Sequence, residues 1–191
     1  SDQFTVELSD PTSTRQIVLN TSSDILSEKD VRIALQHATN KQNISDGIFY
    51  GLEKPADTLF ASTVPYCDIE LEPYVYDLEL AGQILDEAGW KMGSGNVREK
   101  DGQPLNIDLL YNSDSVTEKS IAEYLQSEYQ SIGVSLNIHG EEEQSYRDNM
   151  KAGNFDMVFN ICWGTPYDPQ SSLAAMRAPV YGDYAAQLGL E

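Results

Sequence analysis

The apolar residues of this chain recur at helical and strand periods in alternating segments. Helices are predicted over residues 27–38, 41–50, 77–88, 115–132 and 142–152. The Ser27–Asp30 segment has the form of a capping box, so the first helix is expected to begin there. A last helix is predicted to start at Asp168, a good N-cap residue, followed by Pro169, which needs no N–H at the first helical position.

Between these helices, extended runs predict strands. They comprise residues 16–20, both sides of the Asp101-Gly102 dipeptide, residues 134–138 and the apolar run from Met157 to Cys162. Residues 52–76 contain three prolines and predict a long ordered connection. Strands that alternate with helices predict a mixed sheet flanked by helices, so residues 1–191 are expected to form a single α/β domain.

Composition narrows the classes of partner. The chain has 191 residues, is 40% hydrophobic and carries a formal charge of −19 with only 12 Lys and Arg. Nucleic acid is excluded as a partner because phosphate contacts require basic side chains. No segment reaches the roughly 20 apolar residues of a membrane span. The two cysteines, Cys67 and Cys162, leave both a disulfide and two ordinary buried thiols open.

Candidates for catalysis and metal binding are weak. His37 and His139 have no second His or Cys at metal-ligand spacing, so no protein metal site and no resident cofactor are predicted. The run Glu141 to Glu143 begins a helix, where carboxylates complement the positive helix end. Because adjacent helical residues diverge by about 100°, these acids do not converge on one substrate atom. An enzyme is therefore not expected.

The segment W-G-T-P-Y-D-P, which follows the last predicted strand, raises a different possibility. Ligands of α/β sheets tend to bind beyond the carboxyl ends of strands, and Pro166 and Pro169 stiffen this loop. Trp163 and Tyr167 are therefore either the wall of a ligand site or a cover for the helix that follows. The residues alone leave both interpretations open.

Longer segments carry a family resemblance. The segments D-V-R-I-A-L-Q-H-A-T-N-K-Q-N-I, Y-D-L-E-L-A-G-Q-I-L-D-E-A-G-W and D-G-Q-P-L-N-I-D-L-L-Y resemble the second lobe of the family 5 extracellular solute-binding proteins of ABC importers. The segments H-G-E-E-E-Q, W-G-T-P-Y-D-P-Q and A-A-M-R-A-P resemble the nickel-binding members. The resemblance implies a type II periplasmic-binding-protein fold with two lobes, of which this chain is expected to be an excised part of lobe 2.

The resemblance also implies the ligand and its contacts. Nickel-binding members take up the metal as a chelate, so a nickel ion held by a small organic chelator is the expected ligand, with a short peptide as the alternative. Trp163 and Tyr167 correspond to aromatic walls of that site. Tyr181 stands where the family places a metal-touching His, and we also predict Tyr146 as a ligand-binding residue. Phenol is a poor substitute for imidazole toward nickel, so direct protein–nickel bonding is not expected.

As a whole, the resemblance predicts a substrate-binding component that captures its ligand outside the membrane and delivers it to the permease subunits. Either the periplasm or the outer face of the cell membrane, through a lipid anchor, is the expected location.

Overall fold

A computed structural model describes residues 7–9, 13–62, 64–162, 170 and 173–174. Its strands are β1 (Arg15–Leu19), β2 (Lys91–Met92), β3 (Arg98–Lys100), β4 (Gln103–Pro104), β5 (Asn106–Asn112), β6 (Ser135–Glu141) and β7 (Met157–Ile161). Its helices are α1 (Lys29–His37), α2 (Lys41–Ile48), α3 (Leu78–Glu87), α4 (Val116–Ser131) and α5 (Glu143–Ala152). The predicted alternation of helices and strands is confirmed. Within these ranges, no helix has both the length and the apolar character to cross a bilayer.

Four of the strands form the main sheet, in the order β1-β7-β5-β6. β5 pairs in parallel with both β6 and β7, and β1 is antiparallel to β7. The register places Leu109 of β5 opposite Ile138 of β6 and Met157 of β7. The carboxyl ends of β5, β6 and β7 therefore lie along one edge of the sheet, and β1 begins at the same edge.

The two faces of the main sheet bury two separate hydrophobic clusters, because successive strand side chains point to opposite faces. The larger cluster joins the sheet to α1, α3 and α4, and Ile107 and Leu109 of β5 belong to it. The smaller cluster lies on the face covered by α5, and consists of Val18, Leu110, Tyr146, Phe155 and Val158. A three-layer arrangement results, with most of the core on the side of α1, α3 and α4.

Three helices begin with a side-chain cap that the sequence makes visible. Asn40 accepts a hydrogen bond from the N–H of Asn43, and Asp77 accepts one from the N–H of Leu80, both at 2.9 Å. Ser115 caps α4 in the same way. These side chains satisfy N–H groups that lack a partner within the helix.

The predicted capping box of the first helix is wrong. α1 begins at Lys29 after Glu28, and no side chain caps it. The Ser27 hydroxyl instead donates to the carbonyl oxygen of Asp24 at 2.8 Å. The hydroxyl is thus used within the preceding turn and is not available to the helix, a competition typical of Ser before helices.

The Asp101-Gly102 dipeptide forms the predicted hairpin turn, but the hairpin is short. β3 and β4 pair across it and join β2 in a separate three-stranded sheet. The extended run then changes partners, because β5 enters the main sheet after Leu105, whose N–H donates to the carbonyl of Arg98 at 2.7 Å. The single predicted strand after the turn is therefore two strands in two sheets.

Arg98 ties the small sheet to the helices. Its side chain is buried and donates to the carbonyl oxygens of Ile132 and Trp90, each at 2.7 Å, and to Asp86 at 2.8 Å. The aliphatic part of the Arg98 side chain passes over Gly133, where an added Cβ would lie 2.8 Å from Arg98 Cγ. Gly133 also has φ of +83°, so both its conformation and its packing require glycine.

The remaining expectations have mixed outcomes. Residues 52–76 form the predicted long connection in the part of it that is described. Leu80, an apolar residue of the helix predicted over residues 77–88, is 36% exposed. Cys67 and Cys162 are buried thiols with no disulfide between them. Gln170 is helical, whereas the predicted helix start at residues 168–169 lies outside the described residues.

Candidate functional site

The candidate site is the carboxyl edge, defined as the ends of β5, β6 and β7 together with the start of β1. In register, Asn112 at the end of β5 lies opposite Glu141 of β6, and Ile161 at the end of β7 lies opposite Arg15 of β1. Crevices at such edges are the usual ligand sites of α/β sheets, because loops leave the strands there and backbone groups are free to bind. Charged residues line this edge.

The last strand leads directly to the predicted aromatic loop. β7 ends at Ile161, and the N–H of Cys162 donates to the carbonyl oxygen of Thr14 at 2.9 Å, which holds the chain at the carboxyl edge. Trp163, Tyr167 and Tyr181, three of the predicted ligand-binding residues, lie outside the described residues. Their role stays a prediction.

Tyr146, the fourth predicted residue, lies on α5 within the smaller hydrophobic cluster. Its side chain is buried, and the hydroxyl donates to the carbonyl oxygen of Phe159 at 2.6 Å. Burial raises the pKa of the Tyr146 hydroxyl, with the carboxylates of Glu118 and Glu143 acting in the same direction. The hydroxyl is thus already engaged in holding α5 to β7, and contact with a ligand stays a prediction.

Arg15 is a residue of the carboxyl edge that sequence reasoning missed. Its Nη2 donates to Glu53 at 3.4 Å, and the guanidinium lies 5.5 Å from the centroid of the Phe49 ring. Its Nε is buried, and none of the described residues accepts a hydrogen bond from it. Only the antiparallel pairing of β1 with β7 brings this arginine to the edge, so local sequence patterns could not reveal it.

Glu118 is the second missed residue. Its carboxylate accepts a hydrogen bond from the N–H of Asn112 at 2.9 Å, and the Asn112 side chain donates to Glu143 at 2.5 Å. Burial is the largest cause of a shift at Glu118 and raises the pKa of its carboxyl. The hydrogen bond from the Asn112 N–H and the positive charge of Arg15 lower that pKa, whereas the Glu143 carboxylate raises it. A sequence signal was present, since Ser115 and Glu118 have the spacing of a capping box immediately before an apolar helix.

The carboxyl edge therefore combines the Arg15 guanidinium and the Phe49 ring with the carboxylates of Glu53, Glu118 and Glu143. Such a set can hold a small polar ligand by charge-assisted hydrogen bonds. The two histidines are engaged elsewhere, with His37 Nδ1 at 2.7 Å from the carbonyl of Val75 and His139 Nε2 at 3.2 Å from Asp108. In the described part of the chain, no three His, Cys, Asp or Glu residues form a group that could hold a metal ion.

A groove of about 570 Å³, lined mostly by polar residues, lies on the α5 face. Its walls include Asn20 at the end of β1, Asp156 before β7, and Asp108 and His139 of the sheet. The Asn20 amide donates to the carbonyl of Phe155 at 2.8 Å, so part of this wall is a structural hydrogen bond between β1 and the α5–β7 turn. The groove lies outside the carboxyl edge as defined above, apart from Glu141, which contributes to both.

Comparison with known proteins assigns the family. The profile of the bacterial extracellular solute-binding proteins, family 5 Middle, matches residues 1–183. The nickel-binding periplasmic protein of Escherichia coli (strain K12) is 41% identical over 188 residues, which cover 98% of this chain and 36% of that protein. An oligopeptide-binding protein OppA of Lactococcus lactis subsp. cremoris is 27% identical over 165 residues, covering 81% of this chain and 27% of that protein.

Solved structures agree with the sequence matches. NikA from Brucella suis, crystallised in complex with Fe(III)-EDTA, is 46% identical with a TM-score of 0.87, over 96% of this chain and 37% of that one. NikZ from Campylobacter jejuni, in complex with Ni(L-His), is 24% identical with a TM-score of 0.80, and the match covers 93% of this chain and 36% of that one. NikZ therefore shares the fold. The predicted periplasmic-binding-protein fold is thereby confirmed. The chain spans about a third of the length of these relatives.

Proposed function

Because this chain belongs to the bacterial extracellular solute-binding proteins of family 5, we propose that it is part of the substrate-binding component of an ABC importer of nickel chelates. The observation that carries the proposal is the 41% identity to a nickel-binding periplasmic protein over 98% of the chain. Identity to the oligopeptide-binding relatives is lower, at 27–29%. Residues 1–191 contribute part of the second lobe.

In this proposal, the carboxyl edge is the side of the ligand cleft that the second lobe provides. Trp163 and Tyr167 directly follow the β7 edge in the chain and supply aromatic walls. Arg15 and Glu118 supply charge at the base of the same edge, where the buried Nε of Arg15 has no acceptor among the described residues. Tyr181 and Tyr146 complete the set of ligand-binding residues that the family resemblance predicts.

The metal arrives with its own donors. Two relatives of this fold were crystallised with metal chelates, Fe(III)-EDTA and Ni(L-His). Nickel prefers imidazole and other nitrogen donors, and the described histidines are held by Val75 and Asp108. The protein therefore grips the organic part of a preformed complex and needs no cofactor of its own.

Capture and release, without chemical conversion, is the proposed activity. The chain acts outside the cytoplasmic membrane, in a periplasm or on the outer face of the membrane, and delivers its ligand to the permease subunits. A short peptide is the second candidate ligand, favoured by the relatives that are named as oligopeptide-binding proteins.

The mass of the bound ligand can be measured directly. Native mass spectrometry of the full-length natural protein, purified from cells grown with nickel, should show an added mass equal to nickel plus a small organic molecule. The Trp163→Ala variant should lose that mass and keep its fold, as judged by circular dichroism. An added mass that matches a peptide without metal would replace the nickel proposal by the peptide alternative, and a protein that carries neither under any growth condition would contradict both.

A further inference from the structure

The connection between α2 and α3 exposes an unusual number of large apolar side chains. We define the acidic strap as residues 66–76. Its exposed apolar residues, with the exposed fraction of each, are Tyr66 98%, Ile69 63%, Leu71 58%, Tyr74 45%, Val75 68% and Tyr76 36%. Exposed apolar residues scattered singly are ordinary, but six of them within one short segment mark an interaction surface.

All charged residues in this part of the chain are acidic. Between Lys54 and Lys91 there is no Lys, Arg or His, and there are eight Asp and Glu residues. Within the strap, Asp68, Glu70 and Glu72 alternate with Ile69 and Leu71, and all five are exposed. An apolar surface framed by carboxylates is complementary to a protein surface that pairs apolar pockets with Lys and Arg side chains.

Contacts at its two ends hold the strap in place. At its start, Cys67 is buried and its N–H donates to the carbonyl of Val64 at 3.0 Å. At its end, His37 bonds the carbonyl oxygen of Val75 and packs edge-on against the Tyr74 ring, with the ring centroids 5.3 Å apart.

Tyr76 secures the same end. Its hydroxyl donates to Glu128 of α4 at 2.5 Å, and this hydrogen bond raises the pKa of Tyr76 to about 12, so the phenol keeps its proton at neutral pH. Among the described residues, nothing hydrogen-bonds to the backbone of residues 68–73. The strap is thus fixed at its ends, and between them its backbone has no regular secondary structure.

The segment between α2 and the strap begins on the side of the carboxyl edge. Arg15, at that edge, bonds Glu53 just after α2, and Lys41 bonds both Asp57 at 2.8 Å and the carbonyl of Ala56 at 2.9 Å. These contacts connect the ligand edge to the segment that leads into the strap.

We propose that the acidic strap docks onto the importer's membrane subunits, at a surface that combines apolar pockets with basic side chains. This inference rests on the proposed function. Anionic nucleic acid and anionic lipid are excluded as occupants because the strap would repel them. A permanent internal interface is disfavoured because interfaces of that kind are more hydrophobic and deplete charge at their core. Complementary charges mainly raise the association rate of two proteins. Alternating carboxylates therefore suit transient docking, in which the binding protein associates with the membrane subunits and dissociates again in every transport cycle.

The test measures docking of the full-length natural protein onto the purified membrane complex in lipid nanodiscs, by surface plasmon resonance. The variant Asp68→Asn/Glu70→Gln/Glu72→Gln removes three charges and keeps side-chain size. We expect its association rate constant to fall about tenfold at low salt, with a weaker salt dependence than wild type. The variant Ile69→Ser/Leu71→Ser should instead raise the dissociation rate.

A matched control is Asp24→Asn/Glu123→Gln/Asp148→Asn, which removes three exposed charges outside the strap. It should dock like wild type, and all variants should bind nickel plus histidine with unchanged affinity in calorimetry. Equal association of wild type and the strap variant overturns the inference and leaves the proposed function standing. If the strap variant changes chelate affinity but not docking, the strap faces the protein's own other lobe and the inference is wrong. If wild type itself does not dock, the proposed function and this inference both fail.

Discussion

Tyr111 lies directly opposite Gly140 in the parallel β5–β6 pair, and its ring occupies the space that a side chain at position 140 would need. An added Cβ on Gly140 would lie 2.7 Å from both Cζ and the hydroxyl oxygen of Tyr111. Tyr111 belongs to the larger hydrophobic cluster and is one residue from the carboxyl end of β5. The close approach of ring and backbone thus shapes the sheet immediately beside the candidate ligand edge.

The first prediction concerns this contact. Gly140→Ala should lower the free energy of unfolding by about 1–3 kcal/mol, because the new methyl group displaces the Tyr111 ring in a packed core. Urea denaturation measures the change. The control is Gly47→Ala in α2, where an added Cβ meets nothing within 4 Å. That variant should gain about 0.5–1 kcal/mol. Equal stability of Gly140→Ala and wild type would contradict the close contact.

Glu118 provides a pH prediction. Burial raises its pKa in the folded protein, so the fold favours the protonated form, and stability falls as pH rises from the ordinary pKa of 4.5 through the folded pKa. Glu118→Gln can still accept from the Asn112 N–H and should remove that fall. Unfolding free energies between pH 4.5 and 7 should therefore decline less in the variant. Glu123→Gln, an exposed change on the same helix, should leave the wild-type profile intact, and a profile unaltered by Glu118→Gln would contradict the assignment.

Arg98 is predicted to contribute strongly to the stability of the fold. Arg98→Met leaves the carbonyl oxygens of Trp90 and Ile132 without their donor, and each buried unsatisfied group costs about 1–3 kcal/mol. Chemical denaturation should show that loss. Lys91→Met removes an exposed partner of the same Asp86, 3.8 Å away, and should change stability by only about 0–1 kcal/mol. A comparable loss in both variants would show that the charge on Asp86, and not the buried carbonyls, is what Arg98 serves.

Tyr181 gives a test of how the ligand is held. If the chelator supplies the metal donors, Tyr181→Phe in the full-length protein loses one hydrogen bond, about 0.5–1.5 kcal/mol, which is roughly a tenfold loss of affinity at most. Tyr181→His adds an imidazole, which suits nickel, and should tighten binding. Calorimetry of wild type and both variants in one buffer measures their affinities for the nickel chelate. Abolished binding in Tyr181→Phe would mean that the phenol oxygen coordinates the metal.

The isolated chain is predicted to bind its ligand poorly. Ligand sites bury most of a small molecule's surface, and a cleft between two lobes divides that contact between them. Calorimetry of residues 1–191 with nickel plus histidine should therefore show no sub-micromolar binding, while the full-length protein binds under the same conditions. Tight binding by residues 1–191 alone would refute the shared cleft.

Local patterns were enough to locate most elements. Apolar residues at three- and four-residue steps predicted α4, and period-2 alternation predicted β6, because each pattern follows from the geometry of a single element. Gly89 and Gly133, which directly follow the helices predicted over residues 77–88 and 115–132, have φ of +92° and +83°. The family resemblance, which rests on long matching segments, predicted the fold that the solved relatives confirm.

What the sequence by itself determined is therefore which residues share a helix face or a strand face. The tertiary structure alone decided which strands are neighbours, since ladder hydrogen bonds use backbone groups that every residue carries. That pairing brings Arg15 to the end of β7, divides the run after Gly102 between two sheets, and buries Arg98 against carbonyls of distant segments. A charged side chain is expected to be exposed until the folded chain supplies its partners, and only the three-dimensional arrangement supplies them.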